Sequence, residues 1–242
     1  MPFPFFLAYA AAVLEQNGIE VLLCDAIAED ISEGSFFERV QSFAPDLLVV
    51  ETSTPTLSHD CGLLIKMREF YPGTLVLAGP EGSMYRLEFL EAHPEVDAVL
   101  VGEYDYTLRD LVIAMDAGAP LSSVDGIIYR ENGSVRATPR RVPIADVNDL
   151  PWPKREGLPM ERYDDRPGGI PYPSVQMWAS RGCPFGCSFC IWPQLMYGGR
   201  NYRPRDMNDV VDEMAHCLLY TSDAADDSKR VEGAGGGGGG GG

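Results

Sequence analysis

Apolar residues recur along the first 116 positions of the chain in two alternating registers. Residues 4–17 carry a helix-spaced apolar stripe that stops at Gly18, a residue suited to the position just past a helix end. Residues 19–24 form a short apolar run broken at Asp25, which reads as a buried strand. The alternation then repeats: helix near 35–42, strand 47–50, helix near 59–70, strand 75–78, helix near 85–92, strand 98–101 and helix near 106–116. Short apolar strands between helices of about ten residues imply βαβ units and a parallel sheet. Right-handed crossovers place helices on both faces. The expected fold class is α/β, a flavodoxin- or Rossmann-like doubly wound sheet.

Beyond residue 116 the pattern changes. Residues 126–130 and 134–137 flank Glu131-Asn132-Gly133, whose Asn-Gly pair signals a β-hairpin closing the first domain over 1–138. From 139 to 173 the chain carries eight of its 19 prolines with little periodicity, which predicts a linker lying over a surface. Residues 174–180 read as a strand delivering Arg181-Gly182 into a loop. Residues 208–218 read as an amphipathic helix with Val210, Val211, Met214 and Leu218 on its apolar side. Strand, loop and helix over 174–216 form the first βα unit of a (β/α) barrel, cut off after that unit. A doubly wound sheet normally opens with a strand bearing a ligand loop. Here a helix comes first, after Met1-Pro-Phe-Pro, so the expectation is a truncated or miscalled N-terminus.

The 242-residue chain is strongly acidic, with a formal charge of −17, which argues against electrostatic binding of nucleic acid or a membrane surface. At 45% hydrophobic content it can bury a real core, and no apolar run nears the roughly 20 residues that span a bilayer. A soluble protein of the reducing cytoplasm is expected. Residues 235–242 are all Gly, and Cys217-Leu-Leu-Tyr-Thr-Ser-Asp-Ala-Ala-Asp-Asp227 resembles the translated read-through of a sequencing adapter. Residues 217–242 are therefore expected to be a non-native tail.

The densest chemistry is Cys183-Pro-Phe-Gly-Cys187-Ser-Phe-Cys190, three cysteines within eight residues. Closely spaced loop cysteines hold iron–sulfur clusters, and a four-iron cubane normally takes four thiolates. Three leave one iron open, and an open position separates a catalytic metal site from a structural one. A zinc site would want a second ligand pair, and only the adjacent His216 and Cys217 follow. Six cysteines in 242 residues are too sparse for a disulfide framework, and a two-cluster ferredoxin would need C-x2-C-x2-C with a second set. Cys24 and Cys61 lie in apolar periodic surroundings and read as ordinary buried thiols.

The C-x3-C-x2-C spacing, with Phe189 before the last cysteine, resembles the radical S-adenosylmethionine (radical SAM) superfamily. Several strings resemble its cobalamin-binding-domain members: Leu7 to Leu14 with Asn17-Gly18, Thr52-Ser53-Thr54-Pro55-Thr56, Ala78-Gly79-Pro80, Val101-Gly102-Glu103, Leu150-Pro151-Trp152-Pro153 and Ser180-Arg181-Gly182-Cys183. The extension Ile191-Trp192-Pro193-Gln194, with Gly198-Gly199-Arg200, is similar to the branch of hopanoid-associated radical SAM proteins and the anaerobic magnesium-protoporphyrin ester cyclase.

The resemblance implies a 4Fe-4S cluster on Cys183, Cys187 and Cys190, with SAM on the open iron and Phe189 packed by its adenine. Reductive cleavage of SAM to a 5′-deoxyadenosyl radical would then serve methylation, cyclisation or rearrangement at an unactivated carbon. It further implies cobalamin at the carboxyl edge of the sheet, contacted by Thr52, Ser53, Thr54, Gly79, Pro80, Gly102 and Glu103, with Trp192, Tyr202 and Arg203 as cavity-lining candidates. Expected partners are a small-molecule, lipid or tetrapyrrole-type substrate and an electron donor such as flavodoxin or ferredoxin.

The Asp-x-His-x-x-Gly loop that supplies a lower cobalt ligand in many relatives is absent. His59, His93 and His216 do not fit it, so either the loop was lost with the missing N-terminus or, as is favoured, the lower face of the cobalt carries no His; that face is left unassigned. Alternative readings are a radical SAM enzyme whose α/β domain is only a scaffold, and a non-enzymatic iron–sulfur or zinc module. A tRNA methylthiotransferase would bring more cysteines and a basic surface.

Overall fold

The computed structural model describes residues 2–164 and 174–218. Helix α1 spans Phe5–Gln16. It ends as the Gly18 position predicts: the Gly18 N–H donates to the Glu15 carbonyl at 2.9 Å and the Ile19 N–H to the Leu14 carbonyl at 3.1 Å. Then follow α2 (Glu33–Phe43), β1 (Leu47–Glu51), α3 (Leu57–Arg68), β2 (Thr74–Ala78), α4 (Pro80–Ala92), β3 (Ala98–Leu100), α5 (Asp105–Asp116), β4 (Ile127–Glu131) and β5 (Ser134–Ala137). The Ser32 hydroxyl caps α2 by accepting from the Ser35 N–H at 3.1 Å.

The five strands lie in the order β1-β2-β3-β4-β5. The first three are parallel, with Val49 opposite Val76 and Leu77 opposite Val99. The hairpin β4–β5 turns at Asn132-Gly133 and adds antiparallel to β3, Val99 facing Ile128. Alternate residues along each strand feed opposite faces. Val76, Ala78, Ala98 and Leu100 meet Phe6, Ala10, Leu108 and Leu111 of α1 and α5. Leu75, Leu77 and Val99 meet Leu64, Met67, Phe89 and Leu90 of α3 and α4. Burial on both faces is why β2 reads as an unbroken apolar run.

Two expected strands differ. Residues 19–24 make no ladder with β1: among the described residues, no backbone hydrogen bond joins positions 20–24 to that edge. Ile19 and Val21 pack on the α1–α5 face and Leu23 against the Phe3–Ala8 cluster. The apolar alternation there reflects side-chain anchoring of an extended segment. The strand expected over 174–180 begins only at its last residue. β6 is Ser180–Cys183, paired antiparallel with β7 (Asn201–Pro204). Ahead of it, backbone carbonyls are taken by side chains, Gln176 by Arg155 at 3.1 Å and Trp178 by Arg205 at 2.8 Å. Trp178 stacks on Phe5 with ring centroids 4.3 Å apart.

Helix α6 spans Met207–Cys217 and is capped by Asp206, whose carboxylate accepts from the Asn208 N–H at 2.7 Å. Its inward side is Val210, Glu213 and Cys217, whereas Val211, Met214 and Leu218 of the expected apolar side are exposed. Glu213 accounts for the rotation, because Arg155 and Arg205 both bind its carboxylate inside the protein.

Residues 139–164 contain only the short 3-10 turns Val147–Asp149 and Met160–Arg162. They cross the surface held by bonds such as the Lys154 N–H to the Ala8 carbonyl at 3.0 Å. The remainder of the expected linker, 165–173, and positions 219–242 of the expected tail lie outside the described residues. Among the described residues no helix is long and apolar enough to cross a membrane.

Candidate functional site

Because β1, β2 and β3 are parallel, their carboxyl ends deliver three loops to one sheet edge, where α/β proteins bind ligands. Thr52, Ser53 and Thr54 follow β1, Gly79 and Pro80 follow β2, and Gly102 and Glu103 follow β3. The structure thus brings together all seven residues expected at a cobalamin-type edge. Their polar groups are also engaged within the protein. The buried Thr52 hydroxyl donates to Asp60 at 2.7 Å, its N–H donates to the Ala78 carbonyl at 2.9 Å, and Thr54 donates to Glu81. Ser53 stays exposed, its hydroxyl 3.0 Å from that of Thr56.

Gly79 sits at φ +112° and ψ 176° as the residue before α4. A β-carbon there would stand 2.2 Å from the Thr52 carbonyl oxygen, so β1 and β2 loops touch backbone to backbone.

The cysteine loop begins where β6 ends. Gly182 pairs with Tyr202 at φ +97°, and a β-carbon on it would meet Asn201 Oδ1 at 2.2 Å. Cys183 closes the strand, and Cys187 and Cys190 follow on the loop. Cys187 is exposed and the other two are half-buried. The Cys190 N–H donates to the Cys187 carbonyl at 3.2 Å. Gln194 Nε2 donates to the carbonyls of Cys187 and Ser188 at 3.1 and 3.2 Å.

A single ion needs its ligands gathered to one point, whereas a cubane takes each thiolate on a different iron. Three thiols spread along one braced, accessible loop suit the second donor set. Phe189 is 91% exposed, its ring face open to a ligand. Trp192 stacks against Phe6 at 5.8 Å and Tyr202 is largely exposed.

This loop is tied to the sheet edge by arginines. Arg181, two residues before the first cysteine of the triplet, is 4% exposed and pairs at 2.6 Å with Asp105, which is 1% exposed at the start of α5. Its guanidinium also lies 4.8 Å from the Tyr9 ring and 5.3 Å from the Trp178 ring. Burial opposes the Arg181 charge, but Asp105 and its hydrogen bonds override this and raise its pKa. Arg203 of β7 pairs with buried Glu103 and donates to the Ile144 carbonyl at 2.7 Å. Arg140 donates to the carbonyls of Gln194 and Leu195 in the π-helix Trp192–Met196 that follows the cysteine loop. The Glu103 N–H bonds the Met196 carbonyl at 3.2 Å. Glu103 and Arg203 therefore meet each other as a clasp between the two candidate sites.

Sequence reasoning missed Arg181, Asp105 and Glu51. Arg181 stands in the Ser180-Arg181-Gly182-Cys183 string, and that adjacency was the available signal. Nothing in the apolar pattern separates Asp105 from an ordinary acidic residue in a first helical turn.

Glu51 ends β1 beside this edge. Burial pushes its carboxyl up to about 7, with Asp105 adding repulsion and the Tyr104 hydroxyl working against both. Above the usual carboxylate range but below about 7, the folded chain holds a proton that the unfolded chain has released. Stability therefore falls as pH rises through this window and levels off above it. Urea midpoints of Glu51→Gln and the parent between about pH 5 and 8 should converge at the acid end and separate in favour of the variant at the alkaline end. A constant difference across the range would show that the carboxyl is ionised throughout.

No protein-family model matches the chain. An uncharacterized methyltransferase of Pyrococcus horikoshii, PH0819, is 31% identical over 214 residues, covering 88% of this chain and 45% of that protein. The anaerobic magnesium-protoporphyrin IX monomethyl ester cyclase of Rubrivivax gelatinosus is 32% identical over 224 residues, covering 87% of this chain and 38% of the relative. The chain thus spans less than half the length of these curated relatives. Among solved structures, the cobalamin-dependent S-adenosylmethionine radical enzyme OxsB with aqua-cobalamin bound superposes with a TM-score of 0.74 at 19% identity, over 90% of this chain and 29% of that one. The radical S-adenosylmethionine methyltransferase TsrM of Kitasatospora setae gives a TM-score of 0.67 at 20% identity, over 87% of this chain and 42% of that one. The structural likeness shows the fold, a mixed α/β arrangement. The chain is thus similar in sequence to a methyltransferase and to a magnesium-protoporphyrin ester cyclase, and in fold to cobalamin-dependent radical SAM enzymes.

Proposed function

We propose that this chain is part of a cobalamin-dependent radical SAM enzyme, with Cys183, Cys187 and Cys190 holding a 4Fe-4S cluster that binds SAM. The observation that carries this reading is the braced three-thiol loop, docked through Arg181 and Arg203 on the edge where the three parallel-strand loops converge. When bound, the cluster and SAM supply a carbon-centred radical, and cobalamin supplies one-carbon or electron chemistry. The chain's own part is positional. Gly182 lets β6 lie close on Asn201, Gln194 braces the backbone between Cys187 and Ser188, and exposed Phe189 offers an aromatic face to the adenine. Thr52, Ser53, Thr54, Gly79, Pro80, Gly102 and Glu103 form the cobalamin-facing edge, of which Ser53 has the most accessible hydroxyl.

In this reading 1–138 is the cobalamin-binding unit, 139–173 its linker and 174–216 the start of the barrel. The relatives are methyltransferases and a cyclase, so the proposed reaction is methylation, cyclisation or rearrangement at an unactivated carbon of a small molecule. An external flavodoxin- or ferredoxin-type donor in the cytoplasm would supply the electron.

Anaerobic reconstitution with iron and sulfide tests this. The expected product is a cluster whose electron paramagnetic resonance spectrum shifts on adding SAM, and Cys187→Ala should lose the cluster. A spectrum blind to SAM would overturn the radical SAM assignment. Corrinoid uptake, read by visible absorbance, tests the other half. The internal pairing of Thr52, Thr54 and Glu103 favours a second reading, in which the α/β unit is a scaffold only. No corrinoid uptake beside a SAM-responsive cluster would select it.

A further inference from the structure

A second cluster of metal-ligating side chains lies on the α3–α4 face of the sheet, away from the cysteine loop. Cys61 Sγ, a His93 ring nitrogen and a Glu95 carboxylate oxygen all lie within 4.8 Å of one another. Among the described residues this is the only group of three or more such side chains gathered so closely. We propose that Cys61, His93 and Glu95 form a binding site for a divalent transition-metal ion of the zinc class.

The donor set is the first argument. Thiolate, imidazole and carboxylate together suit zinc, and three protein ligands leave a fourth position for water. The second is preorganisation. Cys61 is on α3, His93 is the residue after α4, and Glu95 lies in the turn entering β3. That turn's backbone is locked: Arg68 donates to the Glu95 carbonyl at 2.7 and 3.2 Å, Arg130 donates to the Leu90 carbonyl at 2.6 Å, and the Val96 N–H bonds the His93 carbonyl at 3.1 Å. The His93 ring stacks on Phe89 at 4.3 Å, which sets its orientation.

The third argument is burial. Cys61 is 6% and Glu95 8% exposed, and among the described residues the one side-chain hydrogen-bond partner of the Glu95 carboxylate is His93 Nδ1 at 2.9 Å. Arg68 directs its hydrogen bonds to the Glu95 carbonyl, the Gly73 carbonyl and Asp97 and not to that carboxylate. A buried carboxylate favours a compensating cation. A bound ion would supply one, with the Cys61 thiol losing its proton to water. His93 is partly exposed and gives the ion a way in. The ion would staple α3 to the turn between α4 and β3.

The test uses the full chain with Cys183, Cys187 and Cys190 all changed to Ser, so that the cysteine loop does not compete. Titration with Co2+ should show one equivalent bound, with thiolate-to-cobalt charge-transfer absorption and tetrahedral d–d bands that Zn2+ abolishes. Cys61→Ser should remove the charge-transfer band. His93→Gln and Glu95→Gln, with circular dichroism unchanged, should each weaken Co2+ binding about tenfold or more. The proposal is overturned if no charge-transfer band forms, if the band survives in Cys61→Ser, or if both other variants bind Co2+ like the parent. None of these outcomes depends on the cluster or on cobalamin.

Discussion

Asp105→Ala should destabilise the protein by about 3–5 kcal/mol, seen as a lower urea midpoint in fluorescence-monitored unfolding. Asp105 and Arg181 are both almost fully enclosed, and each is the other's counter-charge. Removing the carboxylate leaves a guanidinium out of water among Tyr9, Phe6 and Trp178, whose ring faces offer only part of what a carboxylate gives. The cost is that of stranding a charge, not of losing a pair. The double variant Asp105→Ala/Arg181→Ala should therefore recover part of the loss, and the cycle should show strong coupling. Because Trp178 lies beside Arg181, the fluorescence reports on this spot directly. A loss below about 1 kcal/mol for Asp105→Ala would mean that Arg181 finds another partner, and the Arg181–Asp105 pair would then be dispensable.

Gly79→Ala should cost on the order of 4 kcal/mol although it adds one methyl group. Two penalties combine. The backbone at φ +112° and ψ 176° belongs to a region that only glycine occupies freely. The new β-carbon would also stand 2.2 Å from the Thr52 carbonyl oxygen, which is main chain and cannot swing aside as a long side chain would. Relief requires the β1 and β2 loops to part, and that breaks the Thr52 N–H bond to the Ala78 carbonyl. The loss should appear with or without corrinoid present. Dependence of the whole effect on corrinoid would instead make Gly79 a ligand-contact residue.

The alternating helices and strands were legible because burial on both sheet faces leaves long apolar runs, as in Leu75, Val76, Leu77 and Ala78. The hairpin was legible from Asn132-Gly133, and the cysteine loop from spacing alone. Two of the misread elements share one cause, which is polar groups bound by arginine side chains. Residues 174–178 carry a strand-like pattern, but Arg155 and Arg205 occupy the carbonyls of Gln176 and Trp178. In α6 the buried Glu213 rotates the helix away from the side that apolar spacing selects, since no periodicity rule places a carboxylate inward. Residues 19–24 show the alternation of a strand and lack only the ladder. At the candidate site, the loop residues could be named from their order along the chain. The pairing of Glu103 with Arg203 could not, because it joins positions 100 residues apart.

That distance has a kinetic meaning. The Arg181–Asp105 and Arg203–Glu103 contacts close loops of 76 and 100 residues. Ordering such spans costs chain entropy before any contact repays it, and long-range closure slows folding. The sheet, built from neighbouring βα units, can assemble earlier, and the β6–β7 hairpin with its three thiols should dock late. Until it docks, the cysteine loop is not yet held against the sheet edge, so its three thiols are the last residues of that edge to take their final place.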